Sequence, residues 1–244
     1  MLADQGEFGA SIGGLRKEVQ LTASWQSLFL AFLADELPKW RDSSDRTPAT
    51  AENQLTSQLC AHMNDATRLA RGWDFLQFRT EEPDETVGGR AIDLIAAPSG
   101  TLVWLEGREY SKYTPLIPIE CKRLPTPKGQ KRDEREYLYC QHSSTGGVHR
   151  FKEGLHGAAH LSAAMIAYVQ ESDIQHWVSQ INNWLIGLVG EGISGWSMDD
   201  AIALERHESK ERLATLRSTH SRSGELQDIR LDHLWIEMKK ADGM

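Results

Sequence analysis

Two short words in this sequence set ionisable side chains inside apolar runs: Ala91-Ile92-Asp93-Leu94-Ile95 and Ile117-Pro118-Ile119-Glu120-Cys121-Lys122. Successive residues of a strand point to opposite faces, so Glu120 and Lys122 share one face while Ile119 and Cys121 take the other. An acid and an amine are thereby side by side. Asp93 lies 27 positions before Glu120, room for its own strand, a turn and a return along a neighbouring strand, so the two carboxylates can converge. Such a pair offers hard oxygen ligands for Mg²⁺, with Mn²⁺ as an alternative, and this ion keeps much of its water and bridges to phosphate oxygens. The backbone carbonyl of Cys121 could add a ligand. A lysine beside the ion can orient the attacking water, lower its pKa or stabilise charge on a pentacoordinate phosphate. Hydrolysis of a phosphodiester is the matching reaction.

The elements that must position these residues can be read from hydrophobic spacing. Leu15, Val19, Leu28, Leu30 and Leu33 predict a first helix over 15–37, with Pro38 discouraging continuation. A polar loop follows to Thr50. Leu55, Leu59, Met63 and Leu69 predict a second helix over 51–71, stopped by Gly72 and carrying Glu52 at its start. Strand-like pieces come next over 73–80, 90–97, 101–106 and 114–122, with a hairpin expected at Ser99-Gly100. Helices are expected over 130–141, 151–170, 174–189 and 197–217, and a closing strand over 229–238. This order predicts an α/β fold, a central mixed β-sheet flanked by helices. Residues 1–50 read as an N-terminal helical extension, 51–170 as the core, and 171–244 as C-terminal helices and a closing strand of the same domain.

In this setting the sequence resembles the PD-(D/E)XK nuclease superfamily, with Asp93 standing for its first acid and Glu120-Cys121-Lys122 for its ExK element. The resemblance covers roughly 51–169, and Ile92 stands where the strict motif has proline. It implies a restriction-endonuclease-like sheet with the active site at one edge. It further implies a Mg²⁺-dependent nuclease, DNA preferred, serving restriction, anti-phage defence or repair. Asp93, Glu120 and the Cys121 carbonyl would bind the metal and Lys122 would assist the water. A glutamate from the preceding helix, Glu52, would complete the site, and a Tyr or Gln after the ExK strand, here Tyr137 or Gln141, would lie near it. Two other readings stay open: a non-catalytic binding or assembly module, and a hydrolase of another phosphoester, which needs a closed pocket. Asp93, Glu120 and Lys122 could also form an ion-paired edge strand that resists aggregation.

The formal net charge of −8 argues against a surface that attracts nucleic acid everywhere. Eight basic residues against three acids make 122–152 locally basic, either a phosphate-facing surface or a solvated helix face. Gly146-Gly147-Val148-His149-Arg150 reads as a loop entering a helix whose N–H groups could hold a phosphate that Arg150 also reaches, or as a glycine turn with a surface arginine. His142, His149, His156 and His160 lack a cysteine or acid to complete a zinc pattern and read as ordinary histidines. Glu36, Glu81, Glu82 and Asp84 read as solvated charges. With acid dominating elsewhere, productive DNA binding is expected to need a homo-oligomer or partner subunit. Cys60, Cys121 and Cys140 form no CxxC pair, 1–14 lacks a signal-peptide pattern, and the apolar runs 28–33 and 184–189 fall far short of the roughly 20 residues that span a bilayer. A cytoplasmic protein without membrane contact is expected.

Overall fold

The computed structural model describes residues 18–22, 24–85, 88–130, 132–142 and 146–238. In chain order these form β1 (Glu18–Leu21), α1 (Trp25–Asp42), α2 (Glu52–Leu69), β2 (Leu76–Pro83), β3 (Ala91–Pro98), β4 (Leu102–Leu105), β5 (Arg108–Tyr110) and β6 (Ile117–Leu124). There follow α3 (Gly147–Lys152), β7 (Ser162–Val169), α4 (Ile174–Gly190), a single 3-10 turn (Met198–Asp200), β8 (Ala203–Glu208), β9 (Leu213–His220) and β10 (Ile229–Glu237).

Alternation along the inner strands separates two apolar layers. Ile119, Cys121, Ile166 and Leu234 face a layer made by Phe29, Leu33 and Leu37 of α1 and Leu55, Leu59 and Met63 of α2. Met165, Ala167 and Trp235 face the other, where Ile181, Leu185 and Leu188 of α4 join Phe151 of α3. Spacings of three and four along α1, α2 and α4 set their buried residues on one stripe. Between the layers runs a seven-stranded mixed sheet, order β2-β3-β6-β7-β10-β9-β8, with β6, β7 and β10 mutually parallel and the flanking pairs antiparallel. β1, β4 and β5 make a separate three-stranded sheet. The fold is therefore α/β, with a mixed sheet flanked by helices.

One ladder decides where the chemistry can sit. β3 and β6 pair at Ala96↔Ile117, Ile95↔Pro118 and Leu94↔Ile119, and there the pairing ends. Continued by one step it would set Asp93 opposite Glu120. β6 instead stays paired to β7 through Leu124, so the sheet forks at the two acids.

Several expected elements differ. The expected helix over 15–37 is β1 followed by α1, and Leu15 lies outside the described residues. α1 continues through Pro38 to Asp42 because its last turn is packed: Trp40 is buried and Arg41 Nη1 donates to Glu211 O at 2.7 Å. β3 and β4 form no hairpin at Ser99-Gly100. The tight turn joins β4 to β5, where Glu106 and Gly107 both have positive φ, the requirement of a two-residue hairpin loop. Residues 132–141 form turns, shaped by Asp133, whose carboxylate accepts from the N–H groups of Arg135 and Gln141. The expected helix over 151–170 is the end of α3, then turns and β7, and that over 197–217 is the 3-10 turn, β8 and the start of β9. β10 lies inside the sheet, not at its edge. Among the described residues no helix is long and apolar enough to cross a membrane, and the three cysteines are free.

Candidate active site

Lys122 is the centre of the fork. Its side chain is buried, and its ammonium lies 2.7 Å from Glu120 Oε1, 3.6 Å from Asp93 Oδ2 and 3.6 Å from Glu52 Oε1. It also donates to the Cys121 carbonyl at 3.1 Å. β6 contributes Glu120 and Lys122 from one face, β3 contributes Asp93, and the first residue of α2 contributes Glu52. Two backbone N–H groups of β6 fix the incoming acids: Cys121 N donates to Asp93 Oδ2 at 2.9 Å and Arg123 N to Glu52 Oε2 at 3.0 Å. The opened ladder thus has its donors satisfied by side chains.

Electrostatics divides the acids into two kinds. Burial opposes ionisation of Glu120, yet Lys122, His156 and Arg150 hold its carboxyl well below the usual range. Asp93 moves the other way, pushed up to about 6 by burial and by the Glu120 charge against the pull of Lys122. Burial disfavours the Lys122 charge, but Glu120, Asp93 and Glu52 together keep the ammonium protonated above its ordinary range. The Cys121 thiol, on the opposite face, is raised by burial and by Asp93 and stays neutral.

Asp93 and Glu52 open onto a cavity of about 260 Å³, lined also by Asn53, Thr56, Thr80 and Glu81. Glu81 has φ 52, in the left-handed region, at the step of the β2–β3 register that faces Asp93. A non-glycine residue there carries roughly 1–3 kcal/mol of strain, so the backbone is bent beside the acid.

No family model matches the chain, and no curated protein or solved structure matches it.

Among the described residues no group of three or more His, Cys, Asp or Glu side chains is arranged to hold a metal ion. The Lys122 ammonium occupies the point on which three carboxylates converge. Mg²⁺ needs only one or two protein carboxylates, with water and substrate phosphate completing its shell. The hard oxygens of Asp93 and Glu52, 28% and 21% exposed and lining one cavity, fit that demand.

Of the other expected site residues, Arg150 reaches the fork and Gln141 does not. Tyr137 is fully buried within reach of the Lys122 charge, its hydroxyl accepting from Trp235 Nε1 at 2.8 Å and bonded to His233 Nδ1 at 2.7 Å, so it braces the core behind the fork. Gln141 belongs to a different depression, near Arg135 and Trp184. The phosphate-binding expectation for 146–150 is corrected, because the N–H groups of Gly147, Val148 and His149 already donate to the carbonyls of Glu136, Tyr137 and Leu138. The glycines are there for contact: a Cβ on Gly146 would lie 2.6 Å from Tyr139 Cα, and one on Gly147 2.7 Å from Met165 Cε. Arg150 points inward and donates to Glu120 Oε1 at 2.7 Å.

The basic segment is largely neutralised from within. Arg132 pairs with Glu136, Arg135 with Asp133 and Glu191, Lys152 with Asp200, and Arg123 donates to Thr50 O. Lys131 lies outside the described residues. Asp84 is not a solvated charge but a buried acceptor for Gly157 N at 3.0 Å, and Glu36 is largely covered, with Lys39 and His62 on its two oxygens.

Two features had no signature in the sequence. His156 is buried, with Nδ1 3.2 Å from Glu120 Oε2. Ser218 Oγ, His220 and Asp200 are linked at 2.7 and 2.6 Å in the order of a Ser-His-Asp relay. All three are buried, Ser218 also bonds His233 at 2.8 Å, and Asp200 also holds Lys152, so this chain ties β9 and β10 to α3 and presents no nucleophile.

Proposed function

We propose that this chain is a metal-dependent phosphodiesterase, Mg²⁺ its ion and DNA its preferred substrate, with Mn²⁺ as a substitute. The convergence of Glu52, Asp93 and Glu120, from three separate elements, on the Lys122 ammonium carries the reading. An ion-paired edge strand is a poorer account, because β6 is interior and buried charges are costly to keep. A binding module would have no use for the arrangement.

Asp93 and the neighbouring acids would hold the ion, which when bound supplies Lewis-acid polarisation of a phosphoryl oxygen and a more acidic water. Lys122, kept charged by the acids around it, lies 3.6 Å from each of the two carboxylates that open onto the cavity, beside which it can orient a water or meet charge developing on phosphate. Cys121 N–H fixes the Asp93 rotamer, and Arg123 N–H fixes Glu52. Weak attraction for free duplex follows from the net charge of −8 and the internally paired arginines, and a second copy or partner subunit would supply the missing contacts. A role in restriction, anti-phage defence or repair is part of the proposal.

One observation favours a second reading, hydrolysis of a smaller phosphoester: the cavity at Asp93 is only about 260 Å³, and among the described residues its lining includes three carboxylates and no cation. Incubation with supercoiled, linear and single-stranded DNA, RNA and bis(p-nitrophenyl) phosphate separates the two. Chelator-sensitive cleavage of a polynucleotide is expected. Turnover of the small diester alone moves the assignment to the second reading, and no turnover of any substrate with either ion counts against both.

A further inference from the structure

Glu120 has no exposed surface, and three donors reach its two oxygens: Lys122 and Arg150 at 2.7 Å each on Oε1, and His156 at 3.2 Å on Oε2. A cation that keeps part of its water shell needs carboxylate oxygens with an open side. Glu120 has no such side: Lys122 and Arg150 crowd Oε1, and buried His156 faces Oε2. Asp93 and Glu52 are placed differently, partly exposed on one cavity, with Lys122 3.6 Å from each.

The donors on Glu120 are themselves braced. The N–H groups of Leu155 and His156 both donate to Arg150 O, at 2.8 and 3.2 Å, closing the turn that carries the two side chains. The next residue, Gly157, has φ +64, lies where a Cβ would be 3.1 Å from Pro118 Cγ, and is tied to Asp84. His156 therefore has a fixed approach to Glu120.

We propose that Glu120 is a positioning residue and not a ligand of the cation: clamped by Arg150 and His156, it fixes Lys122 beside Asp93 and Glu52, whose carboxylates bind the ion. The proposal rests on the metal-dependent reading above. It gives Lys122 one task, donation from a charged ammonium, and gives His156 a role through Glu120 alone.

Mn²⁺ binding, followed by electron paramagnetic resonance on the full chain, is compared with phosphodiester cleavage for the parent and single variants. Asp93→Asn and Glu52→Gln are expected to weaken Mn²⁺ binding at least about tenfold, whereas Glu120→Gln and His156→Ala change it less than about threefold while lowering cleavage about 10- to 100-fold. His156→Asn, which keeps a donor, is expected to recover most of the cleavage. Mn²⁺ affinity falling as far in Glu120→Gln as in Asp93→Asn overturns the proposal. If Glu120→Gln does not fold by circular dichroism, His156→Ala decides: parallel loss of affinity and cleavage overturns it, loss of cleavage alone upholds it. A parent that binds no Mn²⁺ defeats both this proposal and the phosphodiesterase reading. Binding governed by Asp93 and Glu52 without cleavage of any diester upholds the ligand assignment and defeats only the activity.

Discussion

At the scale of single residues, the Lys122 ammonium is what lets three acids approach one another. Lys122→Met is therefore expected to drive the Asp93 carboxyl above about 6, because the lysine charge is what opposes burial and Glu120 there. NMR titration of the Asp93 carboxyl carbon measures this. The same change leaves Glu120 short of a partner, so urea denaturation should show a loss of about 3–5 kcal/mol. Asp93, Glu120, Lys122 and Glu52 were legible in the sequence because a period of two places ions on one face of an apolar strand, and a helix start fixes the glutamate. His156 was not legible. Its partner lies 36 residues away, and the turn that carries it has the composition of a helix, so no local pattern points to Glu120.

At the scale of elements, α3 is held against the sheet by glycine contacts, not by an anion. Gly147→Ala would press a methyl to 2.7 Å from Met165 Cε and 2.8 Å from Tyr137 O, and about 1–3 kcal/mol of destabilisation is expected for such overpacking. Tyr137→Phe strips a buried partner from His233 and Trp235, which should cost about 1–3 kcal/mol in chemical denaturation while cleavage of the folded variant changes little. Cleavage abolished in a folded Tyr137→Phe protein would restore a substrate role for that residue. α2, β3, β6, α4 and β10 carry clean periodicities and were readable. β7, Ser-Ala-Ala-Met-Ile-Ala-Tyr-Val, is buried on both faces and alanine-rich, so alternation is absent and helix propensity misleads. β8 and β9 together are rich in Glu, Arg and Leu, and the pairing of β9 onto β10 and of β8 onto β9 overrides that local preference.

At the scale of the whole molecule, a buried polar chain makes the fold acid-sensitive. Burial, and then the neighbouring His220, depress His233 from 6.5 to about 3. Between those values the unfolded chain takes up a proton that the folded chain refuses, so stability is retained above pH 6.5 and lost as pH falls, by up to about 1.4 kcal/mol per pH unit. Urea titrations at pH 7, 6 and 5 should show this slope, and His233→Gln should flatten it by about that amount. The sheet order explains why the C-terminal third matters to the site: β10 supports β7, which supports β6, and the 3-10 turn anchors Lys152 of the α3 helix that carries Arg150. The central claim, that the acids around Lys122 are hydrolytic machinery, is tested most directly by Mg²⁺-dependent cleavage of supercoiled DNA by the parent beside folded Lys122→Ala and Asp93→Ala proteins. Cleavage by the parent, removed by chelator and lowered at least about 100-fold in both variants, is the expected result. Equal cleavage by all three would contradict it.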